Sequence, residues 1–134
     1  MTCDDYYQAT DAAAAFMRLR LEELAATATA ATSGEWLPLD DGVQSADNES
    51  EWPVSETVSA LDRQDREHIV LNNPRTVLAS VAADRRLLDT YEQAGSVAQP
   101  DPANAGYLDG IAHAVRCRAA AWAKHPDYKQ EWRP

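Results

Sequence analysis

The stretch that decides the fold is "NNPRTVLASVAADRRLLDTYEQAG", residues 72–95. Asn73 offers a side-chain oxygen that can cap a helix, and Pro74 suits the first helical position. Gly95 can end the helix. Between these signals apolar residues recur at helical spacing: Val77, Leu78, Val81, Leu88 and Tyr91. The stretch therefore predicts a helix over 74–94 with one apolar face.

Asp84 and Arg85 occupy one turn of that apolar face, where the spacing leads us to expect an apolar residue. They could form a buried ion pair, but removing two charges from water is costly. The favoured alternative is an Arg85 side chain that reaches solvent beside an exposed Asp84.

Upstream, a second amphipathic helix is predicted over 5–33. Apolar or small residues alternate at spacings of three and four: Tyr7, Thr10, Ala14, Met17, Leu21, Leu24, Ala28 and Ala31. Because this stripe continues over several heptads, it can pack inside one chain or pair with a second copy. A homodimer is therefore an open alternative.

Downstream, a third long helix is predicted over 104–124, after a loop at 95–103. Its apolar residues are Leu108, Ile111, Val115, Ala119 and Trp122. A short helix is predicted over 59–72, and terminal helical turns over 126–133.

Residues 34–58 lack helical spacing and favour a small β-hairpin or an irregular acidic insertion, anchored by Trp36 and Trp52. An Asp41-Gly42 turn fits the hairpin alternative. The expected fold is thus mainly α, with three longer helices, short helical segments and this insertion after the first helix. At 134 residues the chain is expected to form a single domain over 1–134.

Negative charge is concentrated in one quarter of the chain. The formal net charge is −10, and residues 35–67 hold ten carboxylates against two arginines, a net −8. Because nucleic-acid phosphates would be repelled, direct nucleic-acid binding is not expected. The candidate interaction residues in this segment are Trp36, Asp40, Asp41, Asp47, Glu49, Glu51 and Trp52. The alternative is that these charges only keep the chain soluble.

Asp109, His113 and Cys117 are spaced by four and would form one row on a helix. An Asp that orients a His beside a Cys is the pattern of an activated thiol, yet a single helix face supplies no pocket that excludes water. A solvated face is therefore favoured over a catalytic row. No metal motif and no cofactor motif is present, so neither a metal nor a cofactor is expected.

The segment "HPDYKQEWRP", residues 125–134, is unusually aromatic. Its candidate motif residues are His125, Pro126, Asp127, Tyr128, Trp132 and Arg133. The rings either dock on the core of the protein or are presented to a partner, and docking is favoured because the rings can cover the end of that core.

Four stretches, in chain order, carry a family resemblance: "FMRLRLEE" (16–23), "ATSGEW" (31–36), "EHIVLNNPRTVLASVAADRRLLD" (67–89) and "AWAKHPDYKQEWRP" (121–134). Together they resemble an uncharacterised family of small actinobacterial and actinophage proteins that end in His-Pro-Asp-Tyr-x-x-Glu-Trp-Arg-Pro. Departures include Ser33 and Glu35, which stand where the family has prolines, and Asn73, which stands where it has Asp. The resemblance implies no known activity.

The sequence accordingly predicts a small acidic cytoplasmic module that binds a protein partner, as a phage or prophage accessory protein. No membrane association is expected, because the first residues are acidic and no long apolar run follows. The alternatives are a self-assembling structural component and an enzyme that depends on Cys117 or a metal.

Overall fold

A computed structural model describes residues 2–31, 35–38, 43–45, 63–96 and 102–134. Within these ranges, six elements of regular structure follow in chain order: α1 (Cys3–Ala30), β1 (Trp36–Pro38), β2 (Val43–Ser45), α2 (Arg63–Leu71), α3 (Pro74–Gly95) and α4 (Pro102–Ala119). Two 3₁₀ turns follow α4, at Ala120–Trp122 and Gln130–Trp132. The expectation of a mainly α fold with three longer helices is confirmed. No helix in these ranges is both long and apolar enough to cross a membrane.

The chain divides into two compact units. The first comprises Met1–Glu22 with Ala82–Pro134, and the second comprises Glu23–Val81. Each unit contains part of α1 and part of α3, so the division falls within two helices and not at a linker.

In the first unit, the apolar stripe of α1 forms much of the core. Thr10, Met17 and Leu21 are fully buried, as the spacing of three and four predicts. The helix begins with a reciprocal cap, in which the Asp5 N–H donates to Thr2 Oγ1 and the Thr2 N–H donates to Asp5 Oδ2. This cap satisfies backbone donors that have no partner within the helix.

The helix α3 begins as its sequence signals predict. The Thr76 N–H donates to Asn73 Oδ1 over 3.0 Å, and Pro74 is the first helical residue. The helix ends at Gly95. Asn73 is itself buried, so its side chain is held in place for capping.

The prediction that the Asp84 side chain is exposed is wrong. Asp84 is buried, and both of its oxygens accept hydrogen bonds of 2.8 Å from Arg118 on α4, while Arg85 is exposed. Sequence neighbours suggested Arg85 as the partner, but the approach of α4 brings in a cation 34 residues away. The bidentate geometry compensates for the desolvation of the carboxylate.

In the second unit, the two short strands pair antiparallel, with Leu37 opposite Gln44. The short helix α2 packs against both strands. Val43 is fully buried and Trp36 is half-buried, so one face of this hairpin belongs to the core of the unit. The other predicted anchor, Trp52, lies outside the described residues.

The segment after α4 departs from the predicted helical turns over 126–133. The α-helix ends at Ala119, and the chain continues through tight turns in which the Tyr128 N–H donates to the His125 carbonyl. Lys129 is extended, with φ −100° and ψ 140°, which separates these turns from the 3₁₀ turn at Gln130–Trp132. Pro126 lacks an N–H donor and therefore cannot continue an α-helix through this region.

Candidate functional site

The aromatic segment is docked onto the first unit around Phe16, a residue of α1. The ring centroids of Tyr128 and Trp132 lie 6.1 Å and 5.1 Å from that of Phe16. Tyr128 and Trp132 also contact each other edge to face, with centroids 5.5 Å apart. Both are buried, with 8% and 3% of their surface exposed. The segment is therefore docked, and these two rings are not presented to a partner.

Arg116 holds the same segment through its guanidinium group. It donates to the carbonyl oxygens of Glu131 and Arg133, over 2.8 Å and 3.2 Å, and to that of Tyr6 over 2.9 Å. A fourth hydrogen bond of 2.9 Å reaches the Thr10 hydroxyl. This buried cation thus joins α1, α4 and the terminal segment at one point.

Both ring nitrogens of His125 have contacts within the protein. Its Nδ1 accepts a hydrogen bond from the Asp127 N–H, and Arg20 Nη1 lies 2.6 Å from its Nε2. The ring also packs edge to face on Phe16, at 5.4 Å. His125 therefore has a structural role in the docked segment.

An open cleft of about 440 Å³ lies elsewhere in the first unit, between the start of α1 and the end of α3. Its lining residues are Tyr7, Asp11, Tyr91, Glu92, Gly95, Ser96 and Leu108. We call it the tyrosine–carboxylate cleft. A second cleft of about 370 Å³ shares Tyr7, Gly95 and Leu108 with it and adds Asp4 and Tyr107. These volumes fall within the range of ligand sites in proteins.

Carboxylates hold two tyrosines of the cleft in place. The Tyr91 hydroxyl donates to Asp11 over 2.6 Å, and the Tyr7 hydroxyl donates to Asp109. The hydrogen bond to Asp109 raises the pKa of Tyr7 to about 12. Burial, together with the hydrogen bond to Asp11, raises the pKa of Tyr91. Both phenols therefore stay neutral at physiological pH.

The cleft is negatively charged. Among the described residues that line the two clefts, Asp4, Asp11 and Glu92 are acidic and none is basic. Arg18 pairs with Glu92 at 2.7 Å and with Asp89 at 3.0 Å, which fixes Glu92 at the rim. The arrangement combines aromatic and aliphatic walls with carboxylates, and it suits a cation that carries an apolar stem.

The predicted row on α4 is only partly assembled. The Cys117 Sγ lies 3.5 Å from His113 Nε2, and both side chains are exposed. Asp109 accepts its hydrogen bond from Tyr7, and no hydrogen bond joins it to His113 within the described chain. The row thus lacks the orienting carboxylate of an activated thiol. In the ranges that the structure describes, no three His, Cys, Asp or Glu side chains are grouped to hold a metal ion.

Most of the predicted interaction residues of the acidic segment lie outside the described residues. These are Asp40, Asp41, Asp47, Glu49, Glu51 and Trp52, and only Trp36 is placed, half-buried in the hairpin.

Sequence reasoning missed the tyrosine–carboxylate cleft. Tyr7 and Asp11 are four residues apart and so share one face of α1, which was an available signal. The approach of Tyr91 and Glu92 from α3 was not available, because it depends on how the helices pack.

Comparison with known protein families gives a match over most of the chain. The model of a family of unknown function (DUF6221) matches residues 10–134. No curated protein and no solved structure shows significant similarity to the chain.

Proposed function

We infer the function of this protein from the geometry of its cleft. The chain belongs to the DUF6221 family, a family of unknown function. We propose that the protein is a binding module that engages a basic segment of a partner protein in the tyrosine–carboxylate cleft. The observation that carries the proposal is the lining itself, in which Asp11 and Glu92 stand beside tyrosine and leucine side chains and none of the described lining residues is basic.

The charge of the whole chain supports the same kind of partner. A net charge of −10 attracts a basic protein over a long range and accelerates its association. Most of this charge, a net −8, lies in the sequence segment 35–67. A partner found by this mechanism binds more weakly as salt screens the charges.

The biological setting belongs to the same proposal. Ten of the twelve basic residues are arginine, a usage that suggests a GC-rich genome. Together with the resemblance in the terminal motif, this supports an actinobacterial or actinophage origin. We propose a cytoplasmic phage or prophage accessory protein that modulates a host or phage protein.

A paired affinity capture tests the proposal. Gly95 lines the cleft, and a β-carbon added there meets no atom within 4 Å, so we expect Gly95→Leu to be tolerated and to narrow the cleft. Gly110→Leu is the matched control, because Gly110 is equally open and lies about 200° around α4 from Leu108. Tagged wild-type protein and both variants are incubated with nuclease-treated actinobacterial lysate and analysed by mass spectrometry at low and high salt.

We expect a basic partner that wild-type protein and Gly110→Leu capture at low salt and Gly95→Leu does not. A partner that all three proteins capture equally would contradict a role for the cleft. Partners without basic segments would contradict the proposed electrostatics.

A further inference from the structure

We propose that the ligand group which enters the tyrosine–carboxylate cleft is the guanidinium of an arginine side chain on the partner protein. This inference rests on the proposed function and specifies its chemistry. It follows from the carboxylate oxygens that the cleft leaves available, from the aromatic and aliphatic walls of the cleft, and from the contacts that hold the lining side chains.

Two carboxylates of the cleft each retain one oxygen for a ligand. Asp11 Oδ1 accepts from Tyr91, and Glu92 Oε1 accepts from both Nε and Nη2 of Arg18. Asp11 Oδ2 and Glu92 Oε2 have no hydrogen-bond partner among the described residues. A guanidinium carries five N–H donors in a planar fork and can donate to two separate carboxylates at once.

The walls of the cleft suit a flat cation. The Tyr7 ring is half-exposed at the cleft, Leu108 lines it, and the exposed Tyr107 stands at the adjoining cleft. Arginine stacks on aromatic faces and is more weakly hydrated than an ammonium group, so it loses less on entering such a site. A lysine ammonium is a compact, strongly hydrated charge and gains less from the tyrosine walls.

Three side chains of the lining have hydrogen-bond or ion-pair partners within the protein. Asp109 holds Tyr7, Asp11 holds Tyr91, and Arg18 holds Glu92, so each of these side chains already has a fixed partner. Binding therefore costs little side-chain entropy in the protein. Arg18 also compensates part of the charge of Glu92, so the net attraction is strongest at the Asp11 side of the cleft.

The experiment is a titration of the full-length, ¹⁵N-labelled protein with three capped tripeptides, Gly-Arg-Gly, Gly-Lys-Gly and Gly-citrulline-Gly. Citrulline keeps the shape of arginine but carries no charge. Free arginine is a fourth probe, which distinguishes a small-molecule ligand from a side chain on a polypeptide. Amide shifts are followed in wild-type protein, in Gly95→Leu and in the control Gly110→Leu.

We expect the arginine peptide to shift the amide signals of Tyr7, Glu92 and Gly95 and to bind about fivefold more tightly than the lysine peptide. We expect citrulline to bind at least about tenfold more weakly than arginine, since it forms no charge-assisted hydrogen bonds. Gly95→Leu should abolish the shifts and Gly110→Leu should preserve them.

The outcomes separate the two proposals. Equal binding of arginine and lysine at the cleft overturns the guanidinium inference and leaves the proposed basic partner intact. Tighter binding of free arginine than of the capped peptide overturns a protein partner as the source of the group. Shifts that lie away from the cleft for every cation overturn both proposals.

Discussion

Arg116 is a cation in the protein interior, with 3% of its surface exposed and no carboxylate partner among the described residues. Backbone carbonyls, a threonine hydroxyl and the face of Tyr6, 4.0 Å from the guanidinium carbon, take the place of a carboxylate. Such an arrangement satisfies the donors of the guanidinium but leaves its charge uncompensated. Arg116 therefore acts as a structural anchor, because its one side chain joins three segments of the first unit.

Replacing Arg116 by methionine is therefore expected to lower the free energy of unfolding by about 3 kcal/mol, because three part-buried carbonyls and the Thr10 hydroxyl lose a donor. Chemical denaturation of the variant gives the value. The control is Arg85→Met, whose side chain is exposed and which should change stability by less than about 0.5 kcal/mol. Equal effects at the two positions would contradict the anchoring role of Arg116.

The pKa of Tyr7 depends on its hydrogen bond to Asp109. Its pKa of about 12 in the folded protein lies above the ordinary value of 10.0, so the neutral phenol stabilises the fold. The stabilisation is complete below pH 10 and is lost as the pH rises toward 12. The direction is the same for Tyr91, whose pKa is also raised.

The change Asp109→Asn should consequently lower the pKa of Tyr7 toward its ordinary value, because it removes the negatively charged acceptor. Alkaline titration, followed by the ultraviolet absorbance of ionised phenol, measures the shift. Tyr7→Phe identifies the transition by removing it. An unchanged titration in Asp109→Asn would show that the hydrogen bond does not set the pKa.

At the scale of elements, the segment after α4 differs most from its predicted form. Helical turns were predicted over 126–133, but tight turns and an extended Lys129 bring the rings of Tyr128 and Trp132 together instead. The docking itself was predicted correctly, because burying two large rings is favourable whichever local geometry permits it.

The change Trp132→Ala should lower the free energy of unfolding by about 3 to 5 kcal/mol, as for other large aromatic residues removed from a core. Trp132→Phe should cost clearly less, since the indole Nε1 has no hydrogen-bond partner among the described residues and contributes mainly by packing. Thermal and chemical denaturation compare the two. A cost for Trp132→Phe as large as for Trp132→Ala would contradict this and point to a polar role for Nε1.

At the scale of the whole molecule, the excess of carboxylates opposes folding through mutual repulsion. We expect the Tm to rise by about 3 °C between low salt and 0.5 M sodium chloride, because salt screens this repulsion. Calorimetry at several salt concentrations measures the slope. A falling Tm would mean instead that ion pairs such as Arg18–Glu92 and Arg118–Asp84 outweigh the repulsion.

The sequence by itself determined the elements that local chemistry specifies. The capping of α3 by Asn73, its end at Gly95 and the buried stripe of α1 all follow from propensities and spacing within one helix. The mainly α fold was predictable for the same reason.

Only the tertiary structure decided the rest. The pairing of Asp84 with Arg118, the hydrogen bond of Arg116 to Tyr6 and the meeting of Tyr91 with Asp11 join residues 34 to 110 positions apart. Spacing along one helix cannot specify which face of another helix will approach it. The tyrosine–carboxylate cleft is formed by residues of α1, α3 and α4 together. Its chemistry could not be predicted from the sequence, because it depends on how these helices pack.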